Sequence, residues 1–254
     1  MKTAFLFTGQ IRGLKHAYPT IKKNVEPCFE NISYFFFGPP EKDGVNFEDI
    51  IPNSTCLYEE DNPALSDGWN STGIGGGSDA ASRNNGHDAK TLTQHYVMQI
   101  YNLYRGFELI PNDFDIVVRI RPCCYSLDSL NIDKSMLESL RDDEVIIPQW
   151  DSYNGVNDKF AIGTYNSMKT YTSLFVSDVV KNAFIGAEPR LNLHLQTEGI
   201  KVKHVEWTFA SISKDMAVRG IPGGQGHIGS SEFPQWDKFI REGKWIQGQG
   251  VYND

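Results

Sequence analysis

Short apolar runs alternate with longer amphipathic segments along this chain. The runs at 2–8 and 32–37 predict buried strands, and the segment 14–26 between them predicts a helix. A shorter run at 54–59 predicts a third strand. Strands and helices in this order form parallel pairs joined by right-handed crossovers, so the opening of the chain is typical of an α/β fold.

The second half of the chain continues the alternation. Apolar residues at three- and four-residue spacing predict a long helix at 88–109, which Pro111 ends before a strongly apolar strand at 114–121. Later elements are predicted as a strand at 144–148, helical segments at 164–186 and 188–198, and strands at 201–205 and 207–213. The predicted fold class is α/β, with a mixed, mostly parallel Rossmann-type sheet flanked by helices.

Two regions depart from this pattern. Residues 60–87 are rich in glycine, serine and asparagine, and a loop of this length is typical of a lid, a binding loop or disorder. We predict a mobile loop over a ligand site, with a surface excursion as the alternative. The tail at 220–254 is rich in glycine and glutamine. Because no linker or repeat is evident, we expect one domain, 1–254, with its core in about 1–215.

Composition narrows the class of partner. The 254 residues carry a net charge of −8 and no block of lysine or arginine, so nucleic acid is not an expected partner. The apolar runs are shorter than the ~18 residues that span a bilayer, and the apolar part of the N-terminus is shorter than that of a signal peptide. Four cysteines without metal-ligand spacing predict reduced thiols. We therefore expect a cytoplasmic protein without a transmembrane segment.

The apolar run at 114–121 contains two arginines at alternate positions, Arg119 and Arg121, directly before Pro122. Residues i and i+2 of a strand lie on the same face, so both guanidiniums are expected on one side near the carboxyl end of the strand. Ligands bind at that end of open α/β sheets, and two guanidiniums suit a phosphate or a carboxylate. The alternative is a solvent-exposed edge strand, which so apolar a run does not favour.

Two further motifs contain candidate binding or catalytic groups. Residues 9–12 (Gly-Gln-Ile-Arg) follow the first strand, where glycine lets backbone amides approach a ligand and Arg12 can reach a diphosphate. Their spacing is not that of a dinucleotide-binding loop, and a plain turn is the alternative.

Asp151 and Asp158 flank a turn between a strand and a helix. Asp158 is a candidate general base toward a hydroxyl; the alternative is that both aspartates cap the turn.

Three motifs occur in a fixed order along the chain. They are residues 9–12, residues 114–122 (Phe-Asp-Ile-Val-Val-Arg-Ile-Arg-Pro) and residues 155–163 (Gly-Val-Asn-Asp-Lys-Phe-Ala-Ile-Gly). A helix that contains Met168 and Tyr171 follows the third motif. In order and spacing, this pattern resembles a group of GT-A-type glycosyltransferases found in microbes and large viruses.

The resemblance implies a GT-A-like fold and a defined reaction. The reaction is transfer of a sugar, of the hexosyl or deoxyhexosyl class, from a nucleotide-sugar donor to a glycan or other hydroxyl acceptor. The donor-binding residues that it implies are Gly9, Gln10, Arg12, Arg119 and Arg121.

On the acceptor side, the resemblance implies that Asp158 is the general base of an inverting transfer. Contacts to the acceptor or the sugar are expected from Trp150, Asp151, Tyr153 and Asn157. The aromatic side chains, and that of Trp207, are candidates for stacking on sugar faces, with ordinary core packing as the alternative.

One position departs from the pattern of this group. GT-A enzymes place a carboxylate in the turn after the central strand to bind Mn²⁺ or Mg²⁺, and Cys123 stands at that position here. Asp128 and His204 are weak candidate ligands for such a cation. Otherwise the arginines replace the charge of the metal, or catalysis is lost and the chain is a nucleotide- or glycan-binding protein. A nucleotidyltransferase that uses the glycine-containing turn near the N-terminus is a less favoured alternative.

Overall fold

The computed structural model describes most of the chain between residues 1 and 212. The described residues are 1–11, 13–41, 44–59, 89–149, 152, 155–177, 187–212, 218–219 and 227–228, with side chains except at 89–95, 218–219 and 227–228. The predicted loop at 60–87 and most of the tail at 220–254 lie outside the described residues. Four candidate site residues also lie outside them: Arg12, Trp150, Asp151 and Tyr153.

The strands of the described residues follow the predicted order, with additions. They are β1 (Thr3–Thr8), β2 (Ile32–Gly38), β3 (Thr55–Tyr58), β4 (Ile116–Ile120), β5 (Cys124–Ser126), β6 (Glu144–Pro148), β7 (Phe160–Thr164), β8 (Lys201–Val205), β9 (Phe209–Ile212), β10 (Val218–Arg219) and β11 (His227–Ile228). The strands that the apolar pattern did not predict are β5, β7, β10 and β11.

Helices connect these strands. They are α1 (Leu14–Asn24), α2 (Phe47–Ile50), α3 (Ala89–Phe107), α4 (Lys134–Glu138), α5 (Tyr165–Thr172) and α6 (Ala187–Thr197), with 3₁₀ turns at Glu26–Cys28 and Ser173–Val176. The long helix predicted at 88–109 and the helix predicted at 188–198 are both present. In the ranges given above, none of the helices combines the length and the apolar character needed to cross a membrane.

Seven strands form the main sheet, in the order β3-β2-β1-β4-β7-β6-β8. Strand β1 pairs in parallel with β2 and β4, β2 with β3, and β6 with β8. Strand β7 is antiparallel to both of its neighbours, β4 and β6. The mixed, mostly parallel sheet flanked by helices that the sequence predicts is therefore confirmed.

The sheet separates two apolar clusters. On one face Phe5 and Val118 pack with α1, and on the other Leu6 and Val117 pack with α3, α5 and α6. Strands β1 and β4 are buried along their whole length, as expected of central strands covered by helices on both faces. Because side chains alternate along a strand, Arg119 lies on the same face as Val117, toward α3, α5 and α6.

A second, antiparallel sheet has the strand order β11-β10-β9-β5. Its strand β5 begins at Cys124, shortly after β4 ends at Ile120, so the chain passes from one sheet to the other through a tight turn. The amide of Ile212 donates to the carbonyl oxygen of Cys123 at 2.9 Å. This turn, which carries Arg121 and Cys123, is thus attached to both sheets.

Glycines let β1, β2 and α3 approach one another closely at the carboxyl edge of the main sheet. A Cβ atom on Gly38 would lie 2.3 Å from the carbonyl oxygen of Gly9, and one on Gly106 would lie 2.8 Å from Cγ2 of Thr8. Gly9 itself has φ +97°, which few residues other than glycine adopt. This packing fixes the position of the turn that follows β1.

We expect Gly38→Ala to lower the free energy of unfolding by about 3 kcal/mol, because the new methyl group meets backbone that cannot rotate away. For a chain of this size, thermal denaturation should show a fall in Tm of roughly 6–12 °C. Gly44→Ala is the matched control, because Gly44 has a positive φ, of +76°, but no atom of the described residues lies close to the position of the new methyl group. Its free energy of unfolding should fall by about 1 kcal/mol. Equal losses of Tm in the two variants would contradict the close approach of Gly38 to Gly9.

Candidate active site

The pairing of β7 with β4 brings Asp158 to the end of the strand that carries the arginines. Ile120, the last residue of β4, lies opposite Phe160, the first residue of β7. The amide of Arg121 donates to the carbonyl oxygen of Lys159 at 2.9 Å, which extends the ladder beyond both strands. Because the strands are antiparallel, the residues before β7 meet the residues after β4, and Asp158 lies beside Arg121.

Asp158 is held by a guanidinium and an amide. Nη1 of Arg121 lies 3.8 Å from Oδ2 of Asp158, and Nε2 of Gln99, on α3, donates a hydrogen bond to the same oxygen. Asp158 is 8% exposed, and its Oδ1 is buried without a hydrogen-bond partner among the described residues. The carboxylate therefore keeps one oxygen for a further partner.

Two opposed effects set the pKa of Asp158. Burial would raise this pKa, since a carboxylate loses its hydration in the interior. The nearby positive charges act in the opposite direction, and they come from Arg121, Arg119 and Lys159. Together with the hydrogen bond from Gln99 they outweigh burial, so the pKa lies below its usual value. Asp158 is therefore ionised at neutral pH, and both arginines act on it, Arg119 from within β4 and Arg121 from the turn that follows β4.

Arg119 lies inside the molecule, 1% exposed. Its Nε and Nη1 have no hydrogen-bond partner within the part of the chain that the structure describes, and the same holds for the buried hydroxyl group of Tyr171 on α5. Burial lowers the pKa of this guanidinium, while Tyr171 and Asp158 act to raise it. An incompletely paired guanidinium in the interior is costly, so this cluster of unsatisfied polar atoms marks a place where a ligand can bind.

The turn before β7 is fixed by its contact with α6. A Cβ atom on Gly155 would lie 2.1 Å from the carbonyl carbon of Glu188, so only glycine fits there. The amide of Val156 donates to the carbonyl oxygen of Glu188 at 3.3 Å. The first residues of α6 thus determine where this turn lies, and with it the position of Asp158.

Asn157 shapes the same turn from within. Its side chain is fully buried, and Oδ1 accepts hydrogen bonds from the amide of Lys159 at 2.8 Å and from the amide of Phe160 at 3.1 Å. An asparagine that bonds to the backbone two and three residues ahead stabilises a turn. Asn157 therefore helps to position Asp158 in this structure, and its contact with the acceptor or the sugar stays a prediction.

The turn after β1 lies at the same edge of the sheet as the arginines, because β1 and β4 are parallel neighbours. The amide of Gly9 donates to the carbonyl oxygen of Phe37 in β2 at 2.9 Å, and Gln10 is exposed. The amide of Ile11 donates to Oε1 of Glu41 at 2.8 Å. Gly9 and Gln10, the donor contacts that the resemblance implies, thus lie at this edge in a turn that is held by the hydrogen bonds of Gly9 and Ile11.

Cys123 and Cys124 lie in the turn between the two sheets. The amide of Cys124 donates to the carbonyl oxygen of Arg121 at 3.0 Å, and its side chain is fully buried. A hydrogen bond from Cys124 lowers the pKa of the half-buried Cys123, to about 5, and the charges of Arg121 and Lys159 act in the same direction. Burial raises the pKa of Cys124. At neutral pH, Cys123 is therefore a partly exposed thiolate beside Arg121.

The weak metal candidates are not brought together. Oδ1 of Asp128 accepts a hydrogen bond from the amide of Thr208 at 2.9 Å, and burial raises the pKa of this carboxyl group. His204 is exposed on β8, an edge strand separated from β4 by β7 and β6. Within the described ranges, no three side chains of His, Cys, Asp or Glu meet in a way that could hold a metal ion.

Trp207 is a core residue, 2% exposed. Its Nε1 donates to Oγ of Ser126 at 2.9 Å, and its ring packs against Phe160 and Phe209. Of the two alternatives for Trp207, ordinary core packing is therefore confirmed and stacking on a sugar is not, because the indole lies between Phe160 of β7 and Phe209 of β9.

The sequence did not identify Gln99 or Glu188 as residues of this site. Gln99 reaches Asp158 from α3, whose neighbouring positions are largely apolar and buried. A polar residue within such a stripe is the signal that could have found it. Glu188 carries no comparable signal, since its role is played by its backbone at the start of α6.

The sequence matches no protein-family model, and it matches no curated protein. Among solved structures, the chain is similar to the galactosyltransferase LgtC, which was crystallised in complex with donor and acceptor sugar analogs. The two share 13% sequence identity at a TM-score of 0.44, and the match covers 78% of this chain and 72% of LgtC. A likeness this distant carries nothing about donor, acceptor or reaction.

We predict that Cys123 is the first cysteine to react with iodoacetamide at pH 6, as measured by mass spectrometry. A pKa of about 5 leaves Cys123 ionised at that pH, whereas burial raises the pKa of Cys28 and raises that of Cys56 to about 11. Arg121→Gln should slow the reaction at pH 6, because it removes a charge that stabilises the thiolate. A rate at Cys123 that rises about tenfold per pH unit between pH 6 and 8 would indicate an ordinary thiol instead.

Proposed function

We propose that this protein is a glycosyltransferase that moves a sugar from a nucleotide-sugar donor to a hydroxyl group of a glycan or other acceptor. The observation that carries the proposal is the position of Asp158, beside Arg121 and within the field of the buried Arg119, at the carboxyl edge of the sheet. Such a transfer needs a cationic site for the leaving diphosphate and a carboxylate near the attacking hydroxyl.

The two arginines supply the site for the diphosphate. Three cations, Arg119, Arg121 and Lys159, act on Asp158 and on Cys123, so the positive charge at this place exceeds the negative charge of the two anions. Phosphate oxygens would complete the hydrogen bonds that Nε and Nη1 of Arg119 lack among the described residues. Interactions of this kind are stronger inside the protein than at its surface, because the local dielectric constant is lower.

Asp158 is the proposed general base. In the free protein the arginines hold its carboxyl group ionised, with a pKa below the usual value. A bound diphosphate would take up much of the charge of the arginines, and the pKa of Asp158 would then rise. A carboxylate with a higher pKa is a stronger base, so donor binding would activate Asp158 for proton removal.

The proposed reaction is a single displacement with inversion. The acceptor oxygen forms a bond to the anomeric carbon while the bond from that carbon to the diphosphate oxygen breaks. The acceptor proton passes to Asp158, and the electrons of the broken bond leave with the diphosphate. Arg119 and Arg121 would stabilise the charge that develops on the leaving group.

A second candidate function is that of a catalytically degenerate protein that binds a nucleotide or a glycan on the same fold. Two observations favour it. The lowered pKa of Asp158 makes this group a weak base in the free protein, and Cys123 stands where GT-A enzymes have a carboxylate. The buried arginines fit anion binding under either function, so only a measurement of turnover separates the two.

Asp158→Asn is expected to reduce turnover by about 10²–10⁴-fold, the usual contribution of a general base. Affinity for a nucleoside diphosphate should be unchanged or higher, because the substitution removes a negative charge beside the arginines. The measurements are release of nucleoside diphosphate from a panel of nucleotide sugars, and calorimetric binding. Asp128→Asn is the matched control and should keep its turnover, since Asp128 bonds to the amide of Thr208. Unchanged turnover in Asp158→Asn would exclude Asp158 as the base. Release of pyrophosphate from a nucleoside triphosphate by the wild type would indicate a nucleotidyltransferase instead.

The pH profile of the reaction should show two different acidic limbs. The base must be ionised, so activity is lost as the pH falls through the pKa of Asp158. In kcat/KM, which reports the free enzyme, this loss should occur below the ordinary aspartate value of about 3.9. In kcat, which reports the donor complex, it should occur at higher pH. A kcat limb at or below that of kcat/KM, in protein shown to be folded by circular dichroism, would contradict activation of the base by the donor.

A further inference from the structure

The turn at residues 121–124 is where the resemblance to GT-A transferases implies a divalent cation. The side chains that follow Arg121 and Pro122 there are the thiols of Cys123 and Cys124, the second of which is fully buried. The carboxylate of Asp128 lies beyond β5 and is bonded to a backbone amide. Mn²⁺ and Mg²⁺ require several oxygen ligands, and the described residues bring no set of three candidate ligands together. The described residues at this turn do not fit the cation.

The positive charge that a cation would bring is already present at this turn. Arg121 lies in the turn itself, and Arg119 lies two residues earlier, within β4. Both act on the carboxylate of Asp158 and on the thiolate of Cys123. A divalent cation at the turn would be repelled by both guanidiniums, whereas an anion would be attracted.

We propose, on the basis of the proposed function, that Arg119 and Arg121 bind the donor diphosphate in place of a divalent cation, so that donor binding needs neither Mn²⁺ nor Mg²⁺. The two arginines suit different parts of this task. The side chain of Arg121 is 31% exposed and lies 3.8 Å from Asp158, a separation loose enough for it to turn toward a ligand. Arg119 is enclosed, and two of its nitrogen donors lack partners among the described residues.

Two guanidiniums meet the physical requirements for replacing a divalent cation. They carry the same total charge as Mn²⁺, and their planar arrays of N–H groups match the oxygens of a phosphate. Because Arg119 is held in a central strand, its charge is oriented before the ligand arrives.

The test is isothermal titration calorimetry of the full chain with UDP, GDP, ADP, CDP and dTDP, each in EDTA and in Mn²⁺. One nucleotide is expected to bind with a Kd in EDTA that is within about threefold of its Kd in Mn²⁺. Binding at least about tenfold tighter in Mn²⁺ would overturn the metal-free site and leave the proposed function standing. Failure of every nucleotide to bind under both conditions would overturn the proposed function and this inference together.

Variants of the arginines test the same site in EDTA. Arg121→Gln should weaken the binding of the nucleoside diphosphate by about tenfold or more. Arg121→Lys should recover part of this affinity, because lysine keeps the positive charge but lacks the planar guanidinium group. Arg141→Gln is the control, since Arg141 is an exposed arginine paired with Glu144, and it should bind as the wild type does. Wild-type affinity in Arg121→Gln would overturn the proposal.

Arg119→Met separates ligand binding from packing. A buried guanidinium with incomplete pairing contributes little to stability, and an apolar side chain of similar length can replace it without loss. The variant should keep or raise its Tm while its affinity for the nucleoside diphosphate in EDTA falls by about tenfold or more. An Arg119→Met protein that binds as the wild type does, or that loses Tm and affinity together, would show that Arg119 supports the fold and not the ligand.

Discussion

The interaction on which this site depends is the approach of Asp158 to two guanidiniums at the end of β4. It exists because β7 runs antiparallel between β4 and β6, so that the turn before β7 meets the turn after β4. A parallel strand in the same place would begin at the opposite edge of the sheet, and its preceding turn would lie far from Arg121. One reversed strand in an otherwise mostly parallel sheet therefore places a carboxylate and two cations together.

The surrounding structure holds this arrangement from several directions. Gly155 packs against the backbone at the start of α6, Asn157 caps the turn, and Gln99 reaches the carboxylate from α3. Each contact comes from a different element, so the position of Asp158 follows from the packing of the whole helical face of the sheet. A group held in this way needs no reorganisation when a ligand arrives, which is what electrostatic stabilisation of a leaving group requires.

Much of the fold was predictable, because its signals are local. Apolar runs indicated the central strands β1 and β4, which are buried along their whole length, and the apolar spacing indicated the long helix α3. Strand β7 was not predictable, since its five residues lie between a turn and a helix and its pairing is with distant strands. The sequence left Trp207 open between sugar stacking and core packing, because an aromatic residue looks the same in sequence whether the fold buries it or exposes it.

The charges at the end of β4 show how binding and catalysis would be coupled. In the free protein two anions, the carboxylate of Asp158 and the thiolate of Cys123, share the field of Arg119 and Arg121. The cations lower the pKa of Asp158, and the hydrogen bond from Cys124 together with these cations lowers the pKa of Cys123, so both anions are weak proton acceptors. An incoming diphosphate would compete for the same cations. The stabilisation that the diphosphate gained from them would be stabilisation that Asp158 and Cys123 lose. Under the proposed function, the proton affinity of Asp158 would therefore rise when the leaving group is in place, which is when the transfer needs a base.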